Sequence, residues 1–347
     1  MTLVIGTDEA GYGPNLGPLV VAATAWNIAA GPDEAEACLA GVVETLPTVR
    51  GGRSSGPLWA DSKQVYRGAG GFAAVERAAC AGVAIAAGRM PRSWQELADS
   101  LGAIHPAPEP ATDLAIEPVG SPRDAADRVP ADTARSQWGG LEALSLPLEA
   151  AADECADLAA AIGPYLLRHS VSLERIACRC LYPREFNTLL ASGLNKSDIL
   201  SAVTLELAAG LRRLGPDEPA VVWCDRHGGR KRYGGLVARH FHAPLVQPLE
   251  EMQDHSAYLV PAAHANAAAR IEFCVGGEAR VPVALASLTA KYVREVVMHA
   301  FNAHWCGLVP GLAPTAGYPV DAARWRREAA DLIGRAGIPD DDVWRRA

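Results

Sequence analysis

The chain has 347 residues, 49% of them hydrophobic and 21% charged, with a mean hydropathy of +0.04. This composition excludes a disordered chain and leaves enough apolar material for one large domain or two modest ones. The formal charge of −8 argues against bulk electrostatic capture of nucleic acid, while leaving room for a local basic groove.

Eight cysteines, at 38, 80, 155, 178, 180, 224, 274 and 306, form no Cys-x-x-Cys pair, and the Cys178-Arg-Cys180 spacing suits zinc poorly. Reduced, mostly buried thiols in a cytoplasmic protein are expected. The N-terminus has no basic region before an apolar stretch, so no signal peptide is expected, and no apolar run approaches the roughly 20 residues of a membrane span.

In chain order, Leu3-Val4-Ile5 reads as a buried strand that ends in two adjacent acids, Asp8 and Glu9. A turn rich in glycine and proline follows (Gly11, Gly13, Pro14, Gly17, Pro18), then a second apolar strand from Leu19. A strand that delivers acids to its tip and then turns sharply can present metal ligands or a general base on a rigid support. The plain alternative is a hairpin turn with solvated acids. Residues 33–46 read as a helix and 47–57 as a loop. In the run Trp59-Ala60-Asp61-Ser62-Lys63, Asp61 or Ser62 suits a helix N-cap. Phe72–Ala87 is an alanine-rich helix or a strand–helix mix. Six prolines between 106 and 130 and little periodicity mark an insertion at about 102–150.

Residues 150–162 read as a helix and Val171–Leu181 as a strand. Ile199, Val203, Leu207 and Leu211 recur every four residues and predict an amphipathic helix, capped by Ser197 or Asp198. Ala220–Cys224 is a short continuous apolar strand that hands Asp225 to a loop carrying Arg226, Arg230, Lys231 and Arg232. Such a cluster is ordinarily a solvated loop; beside carboxylates it can contact phosphate. Strands are expected at 242–249, 270–276 and 280–284. The acids among them, Glu251, Asp254 and Glu272, are expected mostly on a solvated face. A helix over 286–305 and another over 321–336, stopped by Gly337, close the chain.

The run Gly6-Thr7-Asp8-Glu9-Ala10-Gly11-Tyr12-Gly13-Pro14, closing with Gly17-Pro18-Leu19-Val20-Val21, resembles the opening motif of type 2 ribonucleases H, the ribonuclease HII and HIII family. One position departs: ribonuclease HII usually has arginine where Tyr12 stands. Four further elements resemble the family in the same order. They are Asp61-Ser62-Lys63, the acid Asp225 after a buried strand, the helix Ala286-Ser287-Leu288-Thr289-Ala290-Lys291, and Gly317-Tyr318. Residues 102–150 and much of 227–284 have no counterpart.

The resemblance implies a ribonuclease H-like mixed α/β fold. A central five-stranded sheet would be flanked by helices, with a helical C-terminal part. We expect one domain over 1–347, with the proline-rich insertion and an elaborated segment at about 227–284. The implied catalytic and metal-binding carboxylates are Asp8, Glu9, Asp225 and Glu295. Like charges gathered from distant segments repel unless a cation neutralises them, and hard oxygen ligands select magnesium or manganese. Two such ions suit in-line hydrolysis of a phosphodiester. The implied substrate is the RNA strand of an RNA/DNA hybrid, cut to 5′-phosphate and 3′-hydroxyl ends. The implied substrate contacts are Gly11, Tyr12, Gly13, Ser62, Lys63, Asn195, Arg226, Arg230, Lys291 and Tyr318. Two alternatives stay open: a nuclease of this fold with a shifted nucleic-acid substrate, and a non-catalytic hybrid-binding protein. No obligate protein partner is evident.

Overall fold

Strand β1 (Thr2–Ala10) is buried along almost its whole length, so its apolar part, Leu3-Val4-Ile5, is continuous rather than alternating. We describe a computed structural model, covering residues 1–46, 58–67, 70–102, 140–262 and 267–346. After β1 come β2 (Leu19–Ile28), α1 (Ala35–Glu44), α2 (Ser62–Arg67), α3 (Gly71–Ala87) and α4 (Trp94–Leu101). Next are α5 (Ala152–Arg168), β3 (Val171–Leu181), α6 (Pro183–Ala191), α7 (Lys196–Arg212), β4 (Ala220–Asp225) and α8 (Gly234–His240). The chain closes with β5 (Gln247–Glu251), β6 (His255–Val260), β7 (Ala269–Cys274), α9 (Val281–Leu308), α10 (Pro319–Ala336) and α11 (Asp340–Val343).

The strands form one mixed sheet in the order β3-β2-β1-β4-β7-β6-β5. β1, β4 and β7 run parallel; the remaining neighbours pair antiparallel. Helices cover both faces. On one side Val4, Val20, Ala22 and Trp26 pack with residues of α3 and α9. On the other Leu3, Ile5, Ala23 and Ala25 pack with Leu205, Ala208 and Leu211 of α7. This is the two-faced burial that an α/β sheet requires.

The sheet has seven strands rather than the expected five. The two additional ones, β5 and β6, form a hairpin in the elaborated 227–284 segment, and β6 extends the sheet beyond β7. β5 is exposed throughout, and Pro248 in it deletes one free donor, a common protection for an edge strand. The strand expected at 280–284 is instead the first turn of α9, because Pro282 sits at the helix start, where its missing N–H costs nothing. α7 begins one residue after Asn195, not at Ser197 or Asp198. The Asn195 side chain accepts from the Asp198 N–H, and the Asp198 carboxylate accepts from the Asn195 N–H, closing a reciprocal cap.

Residues 103–139 of the expected insertion lie outside the described residues. Residues 148–150 dock onto α3, where buried Glu76 accepts three backbone N–H bonds, from Leu148, Glu149 and Ala150, at 2.6–2.7 Å. Among the described residues no helix is long and apolar enough to cross a membrane, and the cysteines are free thiols, five of them buried.

Helix α9 lies directly on β1 and β2. The buried Thr24 hydroxyl donates to the Pro282 carbonyl at 2.9 Å. Gly6 makes that approach possible: a Cβ there would stand 2.2 Å from the Pro282 carbonyl carbon and 2.4 Å from the Val283 nitrogen, both backbone atoms. Gly6→Ala is therefore expected to cost about 3 kcal/mol or more, at the upper end of overpacking penalties. Urea unfolding of the variant checks this, and a loss below about 1 kcal/mol would show that α9 can slide off β1 without penalty.

Candidate active site

The three parallel strands end at the same edge, and each delivers acid there. Register pairs Thr7 with Cys224 and Asp225 with Cys274, so the C-terminal tips of β1, β4 and β7 lie side by side. β1 supplies Asp8 and Glu9, and β4 supplies Asp225. A short turn after β7, Gly276-Gly277-Glu278, supplies Glu278. This turn is fixed to its neighbour strand by the Gly277 N–H, which donates to Asp225 Oδ1 at 2.9 Å.

Charge interactions tie these four groups together. Asp8 is buried, and burial pushes its carboxyl well above the usual range, with Glu9, Glu278 and Asp225 adding to the shift. A hydrogen bond from Ser287 opposes it. Glu9 is pushed up to about 7, by burial first and by Asp225 next, with Lys291 pulling the other way. Asp225 is raised by burial and partly held down by backbone N–H bonds from Gly277 and Arg226. Glu278 is the exception. Burial pushes it up, but Lys291, Ser62 and Ser287 outweigh burial and leave it below the ordinary value.

Those partners form a compact polar network. Ser62, buried at the start of α2, donates to Glu278 Oε2 from its N–H at 2.7 Å and from its hydroxyl at 2.8 Å. Lys291 Nζ on α9 donates to Glu278 Oε1 at 3.3 Å, to Ser287 Oγ at 3.0 Å and to Ser62 Oγ. Ser287 and Lys291 are one helical turn apart, so α9 presents both to the acids from one face.

The fourth carboxylate of the cluster is thus Glu278 and not Glu295. Glu295 lies one further turn along α9, with its side chain about half exposed (51%), and its nearest charged partner is Arg294 at 3.5 Å. Its carboxyl is raised by burial and lowered by Arg294, with no contribution from the other acids. The sequence carried a signal for Glu278, an acid on a glycine turn after an apolar strand, as at Asp8 and Asp225. Taking 280–284 as a strand hid it inside an apparent hairpin.

The remaining expected contacts are divided. The Gly11–Gly17 turn borders the acids and is clamped from below. Fully buried Arg345 donates to the carbonyls of Gly11 and Pro14, its Nε reaching Pro14 O at 3.1 Å. Buried Arg294 donates to Leu16 O at 3.3 Å and Ala316 O at 2.9 Å. Gly11 adopts φ +83°, and a Cβ there would meet Pro18 O at 2.5 Å, so the turn needs glycine. Gly13 faces open space. Tyr12 is half buried, its ring under Lys196 Nζ at 5.0 Å from the centroid. Arg226 donates through Nε to Arg230 O at 3.0 Å. Arg230 is ion-paired with Asp198 and donates to Ser197 Oγ at 3.2 Å.

Asn195 is occupied as the α7 cap. Lys63 is exposed; its backbone N–H donates to Asp61 Oδ1 at 2.8 Å, so Asp61 caps α2 and the Lys63 side chain projects to the surface. Tyr318 is 58% exposed at the start of α10. Glu272 is not on a solvated face: it is buried in ion pairs with Arg270 at 2.8 Å and Arg280 at 3.2 Å.

Among the described residues, no three His, Cys, Asp or Glu side chains are already converged as a metal cage. The donor set nevertheless fits a hard divalent cation. It is all carboxylate oxygen, and Asp8, Glu9 and Asp225 are raised by burial and, to a lesser degree, by neighbouring acids, a cost that such a cation would relieve. Asp8, Glu9, Asp225 and Glu278 are the residues that could hold it.

A scan against protein-family models finds no match to this chain, and neither does a search of characterised proteins. Among solved structures, it is similar to the RNase HII in the PCNA:RNase HII complex from Archaeoglobus fulgidus, at 13% identity and TM-score 0.39, covering 98% of this chain and 93% of that one. It is also similar to Bst-RNase HIII in complex with Mn2+, at 14% identity and TM-score 0.41, over 99% of this chain. The chain spans 66% of that protein's length. A third is ribonuclease H2 from Pyrococcus horikoshii OT3, at 11% identity and TM-score 0.39, covering 99% of this chain and 92% of that one. Likenesses at these scores carry nothing toward function.

The raised Glu9 has a thermodynamic consequence. An acid whose folded pKa lies above its unfolded value binds more protons when folded between the two, so it destabilises the fold as pH rises through that window. In divalent-free buffer, stability is expected to fall as pH rises from about 4.5 through about 7. Glu9→Gln should flatten that decline and raise stability at pH 8 by about 1–2 kcal/mol. Urea unfolding across this pH range is the check; equal slopes for parent and variant would show that Glu9 is not strained by its neighbours.

Proposed function

We propose that this chain is a divalent-cation-dependent endonuclease that hydrolyses the RNA strand of RNA/DNA hybrids, leaving 5′-phosphate and 3′-hydroxyl ends. The observation that carries this reading is the gathering of Asp8, Glu9, Asp225 and Glu278 at the tips of three parallel strands. The substrate class comes from the resemblance of the Asp8–Gly13 run, Ser62 and the Ser287–Lys291 helix to type 2 ribonucleases H.

Asp8, Glu9, Asp225 and Glu278 are the residues that would hold magnesium or manganese, which would supply Lewis-acid polarisation of a phosphate and a more acidic water. Lys291, Ser62 and Ser287 hold Glu278 ionised and fixed in direction. The Gly11–Gly13 turn, clamped by Arg345, offers its backbone to the sugar that distinguishes RNA from DNA. Arg226 and Arg230 stand at the rim, where they can contact phosphate without reading sequence. Tyr318, next to Gly317 whose carbonyl binds the Asn15–Leu16 backbone, presents an exposed side chain.

A second reading, a nuclease of this architecture acting on another duplex, is favoured by one observation. Tyr12 carries Lys196 over its ring at the position where the resembled family has arginine.

The test is cleavage of end-labelled duplexes with magnesium or manganese, comparing RNA on DNA, a single ribonucleotide in DNA, double-stranded RNA and double-stranded DNA. Either ribonucleotide-containing hybrid should be cut. Asp8→Asn and Glu278→Gln should each lower the rate at least about a hundred-fold, the scale of a lost transition-state charge interaction. Glu295→Gln should stay within about threefold of the parent, as for a side chain outside the reacting centre. Full activity in Glu278→Gln with loss in Glu295→Gln would return the fourth position to Glu295. Cutting of double-stranded RNA alone would select the second reading.

A further inference from the structure

Lys196 is the first residue of α7 and is half buried, yet its ammonium has no carboxylate within ion-pair distance among the described residues. It lies instead 5.0 Å from the centre of the Tyr12 ring. Charges of both signs lie nearby: Glu9, Asp198 and Arg230 all act on the Tyr12 ring. Lys196 is lowered by burial and by Arg345, and Arg345 is pushed down to about 9 by burial and by Arg294. Arg345 and Arg294 spend their donors on carbonyls of the Gly11–Leu16 turn, and Glu295 beside Arg294 is the carboxylate of this group. Arg345 and Arg294 thus lie against the turn, in which Gly13 faces open space.

A half-buried cation without an anion partner keeps its charge available to an anion that arrives from outside. The Tyr12 ring holds the ammonium over the turn by a cation–π contact rather than by a salt bridge. A salt bridge would have neutralised it; the ring leaves its charge available. Tyr12 is raised by burial and then by the Glu9 charge, so the same ring lies within reach of both Glu9 and Lys196.

Resting on the nuclease reading above, we propose that Lys196, seated on Tyr12, is a backbone-phosphate anchor that holds the nucleic-acid strand across the Gly11–Gly13 turn beside the carboxylates. It is a positioning residue: it fixes a phosphate neighbouring the cleaved one and reads no base. Tyr12 is its platform, which gives the departure from arginine at that position a role, the positive charge being supplied from α7 instead of from the turn.

The experiment is fluorescence anisotropy of a labelled RNA/DNA hybrid with the full chain, in calcium to suppress cleavage, over a potassium chloride series. Loss of one phosphate contact lowers the slope of log K against log salt by about 0.9. Lys196→Gln should show that smaller slope and about three- to tenfold weaker binding at about 0.1 M salt, equally for different sequences. Lys196→Arg, which keeps both charge and ring contact, should restore the parental slope. Tyr12→Leu should keep the slope but raise KM for cleavage, since the charge remains while its placement is lost. A Lys196→Gln slope equal to the parent's overturns the anchor and leaves the nuclease reading standing. A parent that binds no duplex of any kind overturns both. A slope reduction that Lys196→Arg does not rescue also overturns the anchor, because it would mean that the substitution disturbed α7 and not a charge contact.

Discussion

Repulsion among four carboxylates is the constraint around which this molecule is arranged. Three parallel strands cannot end side by side, each carrying acid, without raising the free energy of the folded state. The fold offsets part of this with Lys291, with hydroxyls from Ser62 and Ser287, and with the Gly277 N–H on Asp225. The remainder is left in place and adds to burial, the larger cause, in raising Asp8, Glu9 and Asp225. Sites that hold like charges under strain are typical of function and not of stability.

The same helix that answers the acids also fixes the turn beside them. α9 reaches β1 closely because residue 6 is glycine, and that contact sets the depth at which Ser287 and Lys291 meet Asp8 and Glu278. One turn further on, α9 sends Arg294 beneath the Gly11–Gly17 turn, where Arg345 from the C-terminal end of the chain joins it. Gly317 accepts from the Asn15 and Leu16 N–H groups, so residues more than 300 positions apart build one loop. The carboxylates and the turn beside them are thereby carried together on strand tips, one long helix and a clamped loop.

Much of this was legible in the chain itself. The β1–turn–β2 element, β3 with its bounds and β4 with its terminal Asp225 follow from apolar runs broken by glycine, proline or acid. The amphipathic repeat from Ile199 to Leu211 marked α7. The errors came where local signals compete. Asn195, Ser197 and Asp198 are all good caps, and the choice among them was made by the reciprocal bond of Asn195 with Asp198. Residues 280–284 are apolar enough for a strand, and became helix because Pro282 fits a first turn and the neighbouring sheet positions were taken by β6 and β7.

The sequence by itself determined that acids stand at the ends of buried strands next to glycine turns, because strand periodicity and turn chemistry are local properties. It could not determine which acids meet. Glu278 and Glu295 both lie near Lys291 in the chain, and Glu295 has the better helical spacing. Only the tertiary structure separates them: the parallel pairing of β4 with β7 brings the Gly276–Glu278 turn to Asp225, while the rotation of α9 directs Glu295 toward Arg294. The distance between two charges is a property of strand pairing and helix docking, and neither is written in the spacing of residues along the chain.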